Sequence, residues 1–215
     1  MARVLLINPN TNAATTEAML TIARETAPAG VEIEGITARF GTDLIEVEET
    51  LETASHAVAE ILASEATGHD GVVIAAFGDP GLERAPREQN VVGIAEAGMH
   101  AAAQGGRRFS IVTTTSGLAD PIKGLVSRYG LEKQFASLRF TDGPAAALMG
   151  DPKALANALK KAASEARDLD GAEAVVIGGG PLARAAKRLA VELALPIIEP
   201  VPEAIRLVTQ RIATR

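Results

Sequence analysis

The stretch GVVIAAFGDPGL, residues 71–82, gives the clearest indication of the fold class. After the glycine, residues 72–76 form an unbroken apolar run. Such a run is typical of a central parallel strand covered on both faces. The glycines and proline of FGDPG end that strand and predict a sharp turn. A second stretch, AVVIGGGPL at residues 174–182, repeats the same arrangement in the C-terminal half of the chain.

Two further pairs of segments match between the halves. RVLLINPNT at residues 3–11 corresponds to RFSIVTTTS at 108–116, and VVGIAEA at 91–97 corresponds to PIIEPVPEA at 196–204. The separations are nearly constant, which indicates an internal duplication. We therefore predict an α/β fold of two pseudo-symmetric lobes with parallel sheets and a ligand cleft between them. Lobe one would comprise residues 1–97 plus 202–215, and lobe two residues 98–201.

Short apolar runs alternate with segments of helical periodicity, as expected for parallel sheets joined by helices. The pattern predicts strands over residues 4–7, 31–38, 71–76, 91–94, 109–112, 137–140, 174–177 and 196–198. It predicts helices over residues 15–26, 51–66, 96–103, 121–129, 152–166 and 201–212. Asp151 and Pro152 suit the N-cap and first position of the fifth helix.

The composition restricts the class of protein. Hydrophobic residues make up 47% of the 215 residues and charged residues 22%, the balance of an ordinary globular protein. The net charge of −6, with lysine and arginine scattered, argues against a nucleic-acid partner. No apolar run reaches the roughly 20 residues that span a bilayer, and no signal segment precedes the first strand. We expect a cytoplasmic protein that binds a small molecule, has no membrane partner and can form homo-oligomers.

The sequence contains no cysteine. This excludes disulfides, thiolate metal sites and every mechanism that uses a cysteine nucleophile or base. The three histidines lack metal-ligand spacing, so we expect no metal. The GGGP segment at residues 178–181 does not have the spacing of a dinucleotide-binding motif, and no acidic residue follows at the ribose-binding distance. A dinucleotide site is therefore not expected.

Four loops at the carboxyl ends of predicted strands should face the cleft, because ligands bind there in open α/β sheets. Asn8 and Asn10 can recognise a carboxylate or carbonyl oxygen, or can serve only as a turn and helix cap. Thr113, Thr114 and Thr115 can form a neutral anion cradle, although threonines also suit strands. Further ligand contacts are expected from the two glycine-rich loops, at Phe77, Gly78, Gly180 and Pro181.

Two carboxylates close to these loops can carry protons. Asp79 can act as a base, or it can cap a helix that starts near Pro80. Glu96 begins the helix predicted over residues 96–103. Buried near the cleft, Glu96 would have a raised pKa and act as a general acid or base. Otherwise it is an acid favourably placed at a helix N-terminus.

The segments INPNTN (7–12), VVIAAFGDPGL (72–82), RRFSIVTTT (107–115) and GAEAVVIGGGPL (171–182) together resemble hydantoin racemases and their relatives in the aspartate/glutamate racemase superfamily. The resemblance covers nearly the whole chain. It implies a two-lobed α/β protein that uses no cofactor. It also implies that one cysteine removes a proton from a carbon next to a carbonyl, and a second cysteine returns a proton from the opposite face.

This chain departs from the family at both catalytic positions. The resemblance places the two cysteines at Ala76 and Gly179, and neither residue has a titratable side chain. We expect a cofactor-independent racemase-family enzyme acting on a small carbonyl-containing acid, amino acid or hydantoin-like cyclic amide, with the two-cysteine mechanism not available. Any proton transfer would use Asp79, Glu96 or water. The alternative is a small-acid binding protein with a vestigial active site.

Overall fold

The computed structural model describes residues 1–86, 88–179, 182 and 189–214. These residues form two four-stranded parallel sheets, with strand orders β2-β1-β3-β4 and β6-β5-β7-β8. Because the two orders are equivalent, the prediction of two similar parallel-sheet lobes is confirmed. The strands are β1 Ala2–Asn8, β2 Val31–Thr37, β3 Gly71–Ile74, β4 Val91–Gly93, β5 Phe109–Thr113, β6 Phe135–Phe140, β7 Ala174–Ile177 and β8 Ile197–Ile198.

Helices cover the sheets. Those described in full are α1 Ala13–Thr26, α2 Glu48–Ser64, α3 Ile94–Ala102, α4 Ala119–Arg128, α5 Ala145–Met149, α6 Pro152–Asp170 and α7 Pro200–Ala213. The short helix α5 was not predicted, because five residues are too few to show a helical period. None of the described helices combines the length and the apolar character needed to cross a membrane.

Local capping explains where several elements begin. Asn12 accepts hydrogen bonds from the backbone N–H groups of Ala14 and Thr15, so α1 starts two residues earlier than predicted. Asp151 caps α6 in the same way, with Pro152 at the first position, as predicted. The strand predicted over residues 91–94 ends at Gly93, and α3 begins at the next residue.

The lobes are joined through α3 and α7. Helix α7 returns to the first sheet, where Asn90 Nδ2 donates to the carbonyl of Val208 at 3.1 Å. Helix α3 packs on both sheets, and its Gly98 lies against Val176 of β7 and Pro200. The division into residues 1–97 plus 202–215 and 98–201 stays a prediction, because α3 continues across the boundary between residues 97 and 98.

Candidate active site

Loops at the carboxyl ends of strands in both sheets enclose a cavity of about 260 Å³. The first lobe contributes loops after β1, β2 and β3, and the second contributes loops after β5, β6 and β7. The lining residues from the first lobe are Asn10, Asn12, Thr15, Asp43, Leu44, Ile45, Ala75, Ala76 and Phe77. Those from the second are Thr114, Thr115, Leu118, Ala146, Met149, Gly178, Gly179 and Leu182.

The loop after β1 is organised by Asn8, which is fully buried. Its Nδ2 lies 2.8 Å from Asn10 Oδ1 and 2.9 Å from Thr16 Oγ1. Its Oδ1 accepts from the backbone N–H of Asn10. Asn8 therefore does not line the cavity but shapes the loop that does, and Asn10 and Asn12 are among the lining residues.

The loop after β5 divides its threonines in the same way. Thr113 is buried, and its hydroxyl donates to the carbonyl of Gly178 at 2.7 Å. This bond ties the end of β5 to the end of β7. Thr114 and Thr115 line the cavity, whereas Thr113 does not. Two of the four hydroxyl-bearing residues in this segment thus lie at the cavity, and the Thr115 hydroxyl also lies 3.3 Å from that of Thr113.

Ala76 and Gly179, the positions at which the sequence resemblance predicts cysteines, line this cavity together, one from each lobe. Ala76 is partly buried and already carries a methyl group. A Cβ atom on Gly179 would lie 2.8 Å from Cδ1 of Leu182. Leu182 is only 2% exposed, so it occupies the space that a side chain at Gly179 would need. Neither Ala76 nor Gly179 has a positive φ.

The glycine-rich loops contribute to the cavity unequally. Phe77 lines it and packs against Gly178, where an added Cβ would lie 3.1 Å from the Phe77 ring. Gly78 has a φ of 138° and lies beside Leu51, outside the lining. No described group accepts a hydrogen bond from the backbone N–H of Ala76 or of Phe77. The predicted contacts at Gly180 and Pro181 lie outside the described residues.

Asp79 is a buried carboxylate directed away from the cavity. It accepts hydrogen bonds from the backbone N–H groups of Ala95 and Glu96 and from the hydroxyl of Tyr129, at 2.6–2.8 Å. Burial raises its pKa to about 7, although the three donors favour the ionised form. Burial beside this carboxylate also raises the pKa of Tyr129. Asp79 therefore bridges α3 and the end of α4.

The helix that we expected Asp79 to cap is not present. Residues after Pro80 form only one turn of 3-10 helix, Leu82–Arg84, and Asp79 instead caps the N-terminus of α3. The sequence suggested the local partner because capping residues usually serve the next helix. Here Asp79 has a φ of 46°, and this left-handed turn directs its carboxylate toward β4 and α3. Any side chain at Gly93 would collide with it.

Glu96 is also committed to the protein. Its carboxylate lies 2.6 Å from the guanidinium of Arg211 on α7, and it is within 3.4 Å of the backbone N–H of Gly93. It occupies the first turn of α3, as the helix-terminus interpretation proposed. Like Asp79, it is not among the residues that line the cavity.

Asp43 also lines the cavity and was not predicted from the sequence. This residue follows β2, and its loop is held against the Asn loop by a 2.9 Å bond from the N–H of Thr11 to the carbonyl of Thr42. Asp43 is the only lining side chain among the described residues that is charged at neutral pH. The sequence did contain a signal for Asp43. Parallel strands β1 and β2 end at the same edge of the sheet, so the loop after β2 was also a candidate for the site.

Comparison with known proteins agrees with this architecture. Residues 4–208 match the family described as Asp/Glu/Hydantoin racemase. The chain belongs to the Asp/Glu/hydantoin racemase family. A hydantoin racemase of Paenarthrobacter aurescens is 34% identical over 216 residues, covering 98% of this chain and 91% of that protein.

Solved structures of this racemase family show the same fold. An allantoin racemase from Klebsiella pneumoniae superposes with a TM-score of 0.93 at 36% identity, covering 100% of this chain and 89% of that one. An allantoin racemase from Pseudomonas fluorescens also gives 0.93, at 28% identity, covering 99% of this chain and 91% of its own. The family resemblance inferred from the sequence motifs is thereby confirmed.

Proposed function

We propose that this racemase-family chain holds a small carbonyl compound in its cleft without a cofactor, and that it does not use a two-thiol mechanism. The ligand would be a hydantoin-like cyclic amide, an amino acid or another small carbonyl-containing acid. The observation that carries the proposal is the pairing of Ala76 and Gly179 in one cavity whose remaining polar groups are amides, hydroxyls and one carboxylate. Such groups bind and orient a carbonyl, but they do not supply an acid and a base on opposite faces.

The size of the cavity limits the ligand. Sites for drug-sized molecules usually enclose about 300–1,000 Å³, and this cavity is about 260 Å³. The side-chain oxygens of Asn10 and Asn12 bond within their own loop, so these residues offer their side-chain N–H groups on one side, and Thr114 and Thr115 offer hydroxyls on the other. Backbone N–H groups at Ala76 and Phe77 are free to bind a carbonyl oxygen. The hydantoin and allantoin racemases among the relatives favour a cyclic amide over a linear amino acid.

Two outcomes for activity follow from the lining. If Asp43 reaches the carbon next to the carbonyl, it would exchange that proton from one face only, and the configuration would be retained. If Asp43 does not reach it, the chain binds without turnover, as a vestigial site would. The second outcome is favoured by Leu182, which fills the space beside Gly179. Racemisation needs a positioned acid on the second face, and the described lining has none there.

The experiment is incubation of optically pure 5-methylhydantoin, alanine and aspartate with the protein in D₂O. Exchange of the proton next to the carbonyl is followed by NMR, and inversion is followed by polarimetry. We expect ligand binding to the hydantoin with little or no inversion. Exchange together with inversion at rates typical of an enzyme would overturn the proposal. Exchange without inversion would identify one-face chemistry, and binding alone would identify a binding protein.

A matched pair of variants tests whether binding takes place in the cleft. Ala76→Met places a long side chain into the cavity and should abolish binding of the hydantoin. Ala63→Met makes the same change at an exposed position of α2 and should leave binding unchanged. Equal affinities for the two variants would show that the cavity is not the binding site.

A further inference from the structure

The carboxylate of Asp43 is held at the cavity without a partner of its own. The residue is exposed on one side and lines the cavity on the other. No described residue forms an ion pair or hydrogen bond with its side chain. Its oxygens are therefore available to accept hydrogen bonds from a ligand.

The backbone around Asp43 is fixed by neighbours on both sides. The Thr42 hydroxyl donates to the carbonyl of Leu44 at 3.1 Å, which closes a tight turn around Asp43. Ile45 is 8% exposed and belongs to the main core. The carbonyl of Glu46 then packs against Gly117 of the second lobe, so closely that any side chain at Gly117 would collide with it. Both ends of the turn are thus anchored, so the backbone that carries the Asp43 carboxylate is fixed before a ligand arrives.

Asp43 places a negatively charged group at the cavity. The described lining contains no lysine, arginine or histidine that would neutralise it. A carboxylate accepts hydrogen bonds from N–H groups strongly, because an ionised acceptor roughly doubles the strength of such a bond. The same carboxylate repels a second carboxylate brought close to it, and such repulsion is a common source of specificity.

We propose that Asp43 is a specificity-determining residue that selects neutral cyclic amides over carboxylic acids. Its carboxylate accepts a hydrogen bond from a ring N–H of the amide, while the amide and hydroxyl groups of the two lobes bind the ring carbonyls. A ring-opened acid presents a carboxylate where the ring presented a neutral amide, and Asp43 excludes it. This inference rests on the proposed function, since it concerns the ligand of the same cleft.

The test compares two probes of nearly equal size, 5-methylhydantoin and its ring-opened form N-carbamoylalanine, near neutral pH. Affinities are measured by calorimetry for the unmodified chain, for Asp43→Asn and for Glu46→Gln. Asp43→Asn keeps the shape but replaces a charged acceptor by a neutral amide. Glu46→Gln removes one negative charge from the same loop at an exposed side chain that does not line the cavity, so it controls for net charge.

We expect the unmodified chain to bind the hydantoin at least about tenfold more tightly than the acid. Asp43→Asn should reduce this ratio about tenfold, and Glu46→Gln should leave it unchanged. If both probes bind and the ratio is the same in Asp43→Asn, the role of Asp43 is wrong while the cleft remains a binding site. If neither probe binds to the unmodified chain, both the proposed function and this inference fail. Unchanged melting temperatures of the two variants exclude misfolding as the cause.

Discussion

The loops after β1 and β5 occupy equivalent places in the two sheets, and they use their polar residues in the same order. In each loop the first polar side chain is buried and bonds to the protein, as Asn8 does with Thr16 and Thr113 does with the carbonyl of Gly178. Of the polar residues that follow, Asn10 and Asn12 in the first loop and Thr114 and Thr115 in the second line the cavity. Position in the loop, more than residue type, therefore separates the residues that support the site from those that face a ligand.

The loops after β3 and β7 differ. In the first lobe a buried carboxylate, Asp79, fastens the loop to the N-terminus of α3 and to Tyr129. In the second lobe the described part of the loop has glycines packed against Phe77 and Leu182. The first loop is held by charge and hydrogen bonds, and the second by close apolar contact. The two lobes should therefore respond differently to equivalent substitutions.

The largest expected effect comes from restoring thiols. Cysteine fits at residue 76 because a methyl group is already accommodated there, but Gly179→Cys requires Leu182 to move. We expect Ala76→Cys/Gly179→Cys/Leu182→Ala to exchange and invert the proton next to the carbonyl of 5-methylhydantoin at least about a hundredfold faster than the unmodified chain. NMR in D₂O and polarimetry measure the two rates.

A matched variant with serine at both positions is the control, because its hydroxyls have the size but not the acidity of thiols. It should remain as slow as the unmodified chain.

The two single cysteine variants should also differ in stability, because the two lobes accommodate a new side chain differently. Gly179→Cys alone should be less stable than Ala76→Cys by about 1–3 kcal/mol. A triple variant that binds the hydantoin but exchanges no proton would show that these positions do not face the reacting carbon.

The second effect concerns the pH dependence of stability and belongs to the first lobe. The pKa of Asp79 is raised by burial from 3.8 to about 7, so the folded state binds a proton that the unfolded state has lost between these values. Stability from this group is fully present below about pH 4 and is lost as pH rises through 7. The total loss is about 4 kcal/mol. Asp79→Asn cannot ionise and should lack this fall.

Urea denaturation between about pH 4 and 8 measures this difference. Carboxylates with lowered pKa values, such as Asp170 beside Arg139, contribute in the opposite direction and are common to both proteins, so the subtraction isolates Asp79. Tyr129→Phe is the companion variant, because it removes one of the donors that favour ionisation. Parallel curves for Asp79→Asn and the unmodified chain would show that the carboxyl is ionised in the folded protein throughout this range.

Most of the architecture was predictable from the sequence, and the reason is periodicity. Uninterrupted apolar runs such as residues 71–75 and 174–177 identify strands buried on both faces, and the internal duplication identifies the two equivalent sheets. The boundary between β4 and α3 was not predictable. It depends on Asp79, whose carboxylate crosses from a neighbouring loop to bind the helix N-terminus.

The site was predictable only in part, because sequence places a loop at a sheet edge but does not orient its side chains. Thr114 and Thr115 were expected at the cavity and lie there, while Asn8 and Thr113 were expected there and point into the protein. Asp43 was missed because the loop after β2 has no conspicuous glycine-rich motif. The loop after β2 is brought next to the other loops of the site only by the pairing of β2 with β1.

The third prediction compares the two buried residues that support the loops. Asn8→Ala removes an amide that contacts Asn10, the carbonyl of Asn12 and Thr16, and should lower the free energy of unfolding by about 2–3 kcal/mol. Thr113→Val removes one hydroxyl that bonds to Gly178 and should cost about 1 kcal/mol. Guanidinium denaturation gives both values. A larger loss for Thr113→Val would show that the tie between β5 and β7 matters more than the Asn loop.

The smallest effect on stability is expected one residue further along the second lobe. Thr114 lines the cavity, is half-buried and has no side-chain hydrogen bond to a described residue. Thr114→Val keeps the shape and should change the free energy of unfolding by less than about 0.5 kcal/mol. It should nevertheless weaken the binding of 5-methylhydantoin about three- to tenfold, because one hydrogen bond to the ligand is lost.

Thr113→Val should show the reverse pattern, with lower stability and, once folded, little change in affinity. Calorimetry and denaturation on the same two variants separate the effects. If Thr114→Val loses stability and keeps its affinity, Thr114 supports the fold and does not face the ligand. The arrangement found in the first lobe would then not apply to the second.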